Sequence, residues 1–338
     1  MSKWYQLAGA QNDVVVCTKI ALARNVKGKV FTVNLSLPER AGLAKEIQSV
    51  LEEKLPGKFR MITMSDLTQS QAISLAERFL VSPEFVSASE GRSLAMTPDE
   101  TLSMMICEED HVKLQALLPG LEPFKAYELV DHLDSLLDES LHFAFDQKLG
   151  YLTQCPTNIG TAMRASVLLQ LPALHIHGRL HHLANTVSKL GLTLVGAFGA
   201  GANSPGSLYQ LSNQVTLGIS EEMALQNLNN IALSLIEQEQ EARKALLENL
   251  RFQDLLYRSL GTLKNARVMT FKEFMEAISM VRIGVASGEI PGNMEQINEM
   301  IFTLQPATLN AAAGIDMERQ KRDAYRAERA RTLFADEN

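Results

Sequence analysis

The sequence predicts an α+β protein with two parts: an antiparallel sheet flanked by helices over residues 1–248, then an all-helical region over 249–338. Three observations predict it. Short strand-like runs separated by turns recur between residues 93 and 118, which suits an antiparallel sheet and not a βαβ repeat. After Ser220 the pattern becomes helical and no convincing strand interrupts it. The chain has 338 residues, 46% of them hydrophobic, enough for one large domain or two moderate ones with a real core.

Each element has its own signal. DVVVCTKIALARNV is β-rich, and Val14, Val15, Val16 and Ile20 can be buried on both faces. Ser36-Leu37-Pro38-Glu39 opens a helix that runs through Leu51, with Ser36 as cap and Pro38 in the first turn. Lys58 to Met64 reads as a short strand. Asp66 begins a second helix carrying Ile73, Leu75, Ala76, Phe79 and Leu80, and SPEFVSASEGRS follows as a loop. LAM, TLSMMIC and VKLQALL are strands, the last two joined by the turn EEDH; Pro123 to Leu141 is helical. Leu192 to Phe198, Ser207 to Leu211 and Val215 to Leu217 are three more strands around a glycine-rich loop. Helices are expected from Ser220 to about Asn249 and near 251–264, 270–287, 293–304 and 316–334.

Composition excludes several classes. No run of about 18 apolar residues is present, so no membrane helix is expected. MSKWYQLAGAQND has no apolar signal core, and Cys17, Cys107 and Cys155 are an odd, widely spaced set without a zinc pattern. A cytoplasmic protein with reduced thiols is the expectation. The net charge of −7 argues against general nucleic-acid binding. One segment runs against that charge: ERQKRDAYRAERAR carries six basic and three acidic residues. It is either a solvated, salt-bridged helix or a site for a phosphorylated or carboxylate ligand.

Four segments could carry chemistry. In CEEDHVK, the carboxylates Glu108, Glu109 and Asp110 crowd a strand end; crowding raises pKa values, and such a turn can aim a general base into a cleft. The alternative is a solvated turn with a structural His111. QCPTNIGTAMRAS offers backbone N–H groups, the Cys155 thiol and the Arg164 guanidinium for an anion, or else a tight turn with a buried cysteine. VGAFGAGANSPG (195–206) is a flap or a plain connection; it is neither a Walker A loop nor a dinucleotide fingerprint. In HIHGRLHH, His177 and His181 are spaced to share a helix face, but no acidic partner lies nearby and no metal is expected.

In order along the chain, CTKIALARN, CEEDHVKL, GYLTQCPTNIGTAMRASV, LVGAFGAG and LYQLSNQVTLG resemble the signature blocks of the ATP:guanidino phosphotransferases, the phosphagen kinases. The resemblance is closest to their bacterial protein arginine kinase branch, and RDAYRA (322–327) is similar to that branch's phosphoarginine-receptor motif. It covers nearly the full chain. It implies a phosphagen-kinase catalytic fold, followed by a helical dimerisation and receptor region.

Carried over by position, the resemblance makes Glu109 the base, Cys155 the thiol beside the guanidinium and Arg164 a phosphate-clamp arginine, with Asn158, Gly160 and Thr161 retained. It assigns the nucleotide to Thr18, Lys19, Lys113, Arg164, Ala165, Ser166, Val167 and Leu168, and phosphoarginine to Arg322, Asp323 and Arg326. The departures are as informative. The other clamp positions hold Lys19, Ala21, Lys113 and Val195, while Arg24 remains; the flap reads Val195, Gly196, Ala197, Phe198, Gly199, Ala200, with Ala200 where the family has a carboxylate. A lysine cannot reproduce a bidentate guanidinium fork, and phosphoryl transfer depends on positioning and charge stabilisation.

Three functions follow as expectations. The first is a pseudokinase or very weak kinase that binds phosphoarginine proteins in protein quality control. The second is an active divergent protein arginine kinase using ATP and Mg²⁺, and the third is a purely structural dimer. Without activity no cofactor is expected. The resemblance further implies arginine-containing protein partners, a zinc-finger activator, a Clp protease machine and a homodimer.

Overall fold

The computed structural model describes residues 1–198 and 204–334. Ten strands and twelve α-helices occur among them. The first half contains β1 (Val15–Arg24), α1 (Leu37–Lys54), β2 (Arg60–Thr63), α2 (Gln69–Glu77), α3 (Pro83–Ser87), β3 (Ser93–Met96), β4 (Leu102–Ile106), β5 (Val112–Pro119) and α4 (Pro123–Leu141). Next come β6 (Phe145–Asp146), β7 (Gly150–Tyr151), β8 (Met163–Gln170), α5 (Pro172–Ile176), α6 (Leu180–Lys189), β9 (Leu192–Gly196) and β10 (Leu208–Asn213). The rest is helical: α7 (Glu221–Leu247), α8 (Leu250–Asn265), α9 (Phe271–Ala286), α10 (Met294–Thr303), α11 (Pro306–Ala313) and α12 (Arg319–Leu333).

Eight strands form one antiparallel sheet in the order β2-β3-β4-β5-β1-β8-β10-β9, and β6 and β7 make a separate small hairpin. Alternate residues of a strand share a face. On one face Ile20, Leu22, Leu114, Ala116, Ala165 and Val167 pack with Ile47 of α1, Val130 of α4 and Leu228 of α7. On the other, Cys17, Leu117, Leu168 and Leu208 pack with Phe274 and Ile278 of α9 and Phe302 of α10. The helices after residue 249 thus cover one end of the second face. Arg282 of α9, wholly buried, fixes them there by donating to Gln170 Oε1 at 2.7 Å and the Asn12 carbonyl at 2.6 Å.

The caps explain why helices begin where they do. Glu39 accepts the Ser36 N–H at 2.8 Å, a reach-back that fixes the first turn of α1. Ser220 accepts the Met223 N–H at 3.2 Å at the start of α7.

Several expectations change. The second helix starts at Gln69, capped by Thr68, and stops at Glu77; Phe79 lies beyond it with φ +63, so Phe79 and Leu80 belong to the connection. The SPEFVSASEGRS loop contains α3, because Ser82 accepts the Phe85 N–H at 3.0 Å and Pro83 suits a first turn. Residues 215–217 form no strand: Thr216 gives its carbonyl to Thr161 N–H at 2.9 Å, and its hydroxyl donates to the Ile159 carbonyl at 2.9 Å. The loop expected over QCPTNIGTAMRAS gives way to a strand at Met163: its last residues, with the following VLLQ, form β8 between β1 and β10. The region expected as one helix over 293–304 is followed by a second, α11.

Candidate functional site

Three central strands build the site by the same progression. On the second face β1 runs Cys17, Lys19, Ala21; β8 runs Leu168, Ser166, Arg164; β5 runs Leu117, Gln115, Lys113. The register sets Lys19 between Leu117 and Ser166, Ala21 between Gln115 and Arg164, and Ala23 opposite Lys113. The apolar ends lie under the C-terminal helices. The polar ends line a cleft of about 280 Å³ with Glu109, Ser82, Asn158 and Ala162.

Its electrostatics are uneven. Lys113 Nζ donates to Glu108 Oε2 at 2.9 Å, and the Ser82 hydroxyl also donates to Glu108. Burial pushes the Glu108 carboxyl up, but Lys113 and Ser82 outweigh it and hold it below its ordinary value. Glu109 is exposed, and partial desolvation followed by repulsion from Asp110 raises its carboxyl, against the pull of Lys113. Lys19 is pushed down to about 8, first by burial and then by the charge on Lys113. Its ammonium lies 5.6 Å from the centre of the Phe79 ring.

Asp110 and His111 organise the turn. Asp110 is buried and accepts from Asn25 Nδ2 at 2.6 Å and from the Gln154 N–H at 2.8 Å, joining the acidic turn to the cysteine loop. His111 is wholly buried; Nδ1 accepts the Val26 N–H at 2.9 Å, so Nε2 donates to the Val30 carbonyl at 2.7 Å. His111 is therefore structural.

Cys155 is partly exposed, its sulfur 3.0 Å from the Thr157 hydroxyl, at the head of a 3₁₀ turn whose last residue, Asn158, lines the cleft. Gly160 closes that loop with φ +114, where a Cβ would meet the Thr216 carbonyl oxygen at 2.0 Å. Only glycine fits there.

The other sequence candidates fall in different places. Thr18, Ala165 and Val167 turn their side chains to the opposite face, where Thr18 donates to the Gly120 carbonyl at 2.7 Å, because neighbours in a strand alternate. Ser166 faces the cleft side and donates to the Lys19 carbonyl at 3.3 Å; Leu168 is part of the apolar floor. Arg164 is exposed and donates to the Asn213 carbonyl. Arg24 is turned away and donates to Asp134 at 2.9 and 3.1 Å, below the Tyr151 ring. Val195, opposite Gln210, carries no charge onto the sheet edge; Ala197 packs on the helical side; Gly199, Gly201 and Ala200 lie outside the described residues.

His177 closes α5 and His181 sits in α6, separated by Gly178 at φ +67, so they do not share a helix face. Among the described residues no cluster of three or more His, Cys, Asp or Glu could hold a metal ion, and no helix is long and apolar enough to cross a membrane.

In α12 Arg326 is wholly buried, donating to the Leu304 carbonyl at 2.9 Å, the Met269 carbonyl at 3.0 Å and Asp323 Oδ1 at 2.6 Å. Arg326 and Asp323 are thus used inside the fold. Arg322 is the partly exposed guanidinium of the motif.

Sequence reasoning missed Ser82 and Gln115. Gln115 was within reach, since VKLQALL places Lys113 and Gln115 two apart on one face. Ser82 comes from a distant connection and carried no signal.

Two family models match this chain: the ATP:guanido phosphotransferase C-terminal catalytic domain over residues 42–242, and the protein-arginine kinase McsB C-terminal domain over 249–338. The protein-arginine kinase of Desulforamulus reducens is 39% identical, over 96% of this chain and 93% of its own. That of Moorella thermoacetica is 36% identical over 99% and 97%. Among solved structures, lombricine kinase aligns with a TM-score of 0.59 and 25% identity over 68% of this chain and 67% of its own. The duplicated taurocyamine kinase of Schistosoma mansoni, solved with transition-state-analogue components, aligns with a TM-score of 0.60 and 27% identity over 68% of this chain and 33% of its own.

Proposed function

The chain belongs to the ATP:guanido phosphotransferases, within them to the protein-arginine kinases, and from that premise we propose a kinase-like protein whose phosphotransfer is very weak or lost. Its remaining task is to bind arginine- and phosphoarginine-bearing proteins. One observation carries this reading: on the clamp face Ala21 lies between Arg164 and Gln115 with no charge of its own, while Lys113 is already paired with Glu108.

The residues fit a triphosphate poorly. Of the five clamp positions, Ala21 and Val195 bring no donor, Lys113 is engaged, and Lys19 is a lysine of lowered basicity. Each charge-assisted hydrogen bond lost is worth roughly 1.5–3 kcal/mol. A single arginine on transition-state charge contributes roughly 10³–10⁵ in rate. The guanidinium side is better kept, with Glu109 exposed at the cleft and its carboxyl raised by partial desolvation and by Asp110, the direction that strengthens a carboxylate as a base.

The second reading is a working, divergent protein-arginine kinase using ATP and Mg²⁺. It is favoured by Lys19, Lys113, Arg164 and Glu109 all lining one cleft. Incubation with labelled ATP, Mg²⁺ and an arginine-rich protein separates the two. The first reading expects at most a trace of acid-labile label; robust label that disappears in Glu109→Gln establishes the second.

The partner readings are proposals of the same kind. A phosphoarginine receptor would centre on Arg322, with Asp323 and Arg326 holding its helix. A helix-mediated homodimer, a zinc-finger activator, a Clp protease machine and a cytoplasmic quality-control role belong to this reading. Phosphoarginine binding by wild type and not by Arg322→Ala would support it; equal binding by both would remove the receptor.

A further inference from the structure

We propose that the turn over residues 30–37 is a docking ridge for the polypeptide on either side of an arginine held in the cleft, and that the preferred partner carries apolar residues beside that arginine. The inference rests on the reading of the cleft as an arginine site. Four apolar side chains stand out from this short turn and the helix start that ends it: Val30 is 54% exposed, Phe31 37%, Val33 67% and Leu37, the first residue of α1, 51%. Single exposed apolar residues are ordinary, whereas a contiguous group marks a surface that another molecule covers.

The turn is held rather than loose. Arg40 donates from Nε to the Leu35 carbonyl at 3.1 Å and from Nη2 to the Thr32 carbonyl at 3.0 Å. Its other attachments lead to the site. The Val30 carbonyl takes the His111 ring N–H at 2.7 Å, and the Val33 N–H donates to Gln154 Oε1 at 3.2 Å. His111 is two residues from Glu109, Gln154 is next to Cys155, and the Gln154 N–H is bound by Asp110. The ridge is therefore fixed to both loops that meet the guanidinium end of the cleft.

Charge selects the occupant. Of the three carboxylates at the strand end, Glu108 is taken up by Lys113 and Ser82 and Asp110 by Asn25 and the Gln154 N–H, which leaves Glu109, exposed and lining the cleft, for a guanidinium. A guanidinium satisfies exposed carboxylate oxygens with a fork of N–H donors. A chain with arginine in the cleft lays its neighbouring side chains over residues 30–33. Flanking leucine or phenylalanine would bury apolar area that serine or glycine cannot.

The test uses the full chain and two labelled peptides of equal length and charge, each with one arginine, flanked by Leu and Phe in one and by Ser and Gly in the other. Polarisation titrations compare wild type, Phe31→Ser/Val33→Ser and the single, highly exposed Val33→Asp. Wild type is expected to bind the apolar-flanked peptide about 10-fold more tightly, from one or two partly buried side chains. Both variants should lose that preference while still binding the Ser/Gly peptide. Equal affinity of wild type for the two peptides overturns the ridge and leaves the arginine reading standing. Absence of binding to either peptide overturns both. Concentration-dependent self-association that the variants abolish, without any peptide preference, makes the ridge a self-contact and overturns the proposal.

Discussion

Lys113 Nζ lies 2.9 Å from Glu108 Oε2 at the side of the cleft, so a cation lining the cleft is held by a carboxylate of the chain itself. The pair is largely sheltered on the Glu108 side, with 7% of that side chain exposed against 31% for Lys113. Glu108→Gln should release Lys113 and remove a negative charge facing any anion. ATP·Mg²⁺ affinity is expected to rise about 3–10-fold at low salt, since a neighbouring charge acts strongly where water is partly excluded. Calorimetry at two ionic strengths checks it. Unchanged or weaker binding would show that Lys113 does not face the phosphates.

Restoring the two uncharged clamp positions tests the main reading directly. Ala21→Arg with Val195→Arg should tighten ATP·Mg²⁺ by at least about 10-fold, from roughly 1.5–3 kcal/mol per charged hydrogen bond. Acid-labile labelling of an arginine-rich protein should rise with it. Tighter ATP without more labelling would place the defect at Glu109 or Cys155 instead.

Lys19 gives the site a pH dependence. Its ammonium pKa is lowered from 10.5 to about 8 by burial and Lys113, so it is charged at pH 7 and mostly neutral by pH 9. Affinity for inorganic phosphate or ATP should fall across that interval. The sign for stability is opposite: the folded state binds this proton less well than the unfolded chain, so Lys19 makes the fold more stable as pH rises from about 8 to 10.5. Lys19→Met should flatten both profiles, read by titration calorimetry and urea melts. An unaltered phosphate profile in Lys19→Met would assign the pH dependence elsewhere.

The two arginines of RDAYRA should behave differently. Arg326 is wholly buried and holds two carbonyls and Asp323, so Arg326→Ala should destabilise by roughly 3–5 kcal/mol, as breaking a buried ion pair does. Arg322→Ala should stay within about 1 kcal/mol, since its charge is partly solvated. Denaturant midpoints decide it. Comparable losses in the two variants would mean that Arg322 is also part of the core.

Much of the fold was legible because local signals and pattern agreed. Ser36 with Glu39 and Ser220 before Glu221 announce helix starts that the backbone needs, and the short runs on either side of the EEDH turn announce β4 and β5. The elements that escaped had no such agreement. β8 mixes Arg164, Ser166 and Gln170 with Val167, Leu168 and Leu169, and only its place between β1 and β10 makes it a strand. Residues 215–217 have strand propensity, but their hydrogen bonds go to the cysteine loop.

For the site, the sequence by itself determined which chemical groups exist: a carboxylate triplet, one thiol on a Pro-Thr-Asn turn, three cations where the resemblance asks for five, and a basic final helix. Tertiary structure alone decided what each is free to do. Arg24, kept in the first signature block, and Arg326, assigned to phosphoarginine by the resemblance, are paired by folding with Asp134 and Asp323, because a buried guanidinium must find acceptors. Thr18, Ala165 and Val167 are adjacent to cleft residues in sequence and on the other side of the sheet in space. Glu108 and Lys113 stand five residues apart, and only the turn between β4 and β5 brings their charges into contact.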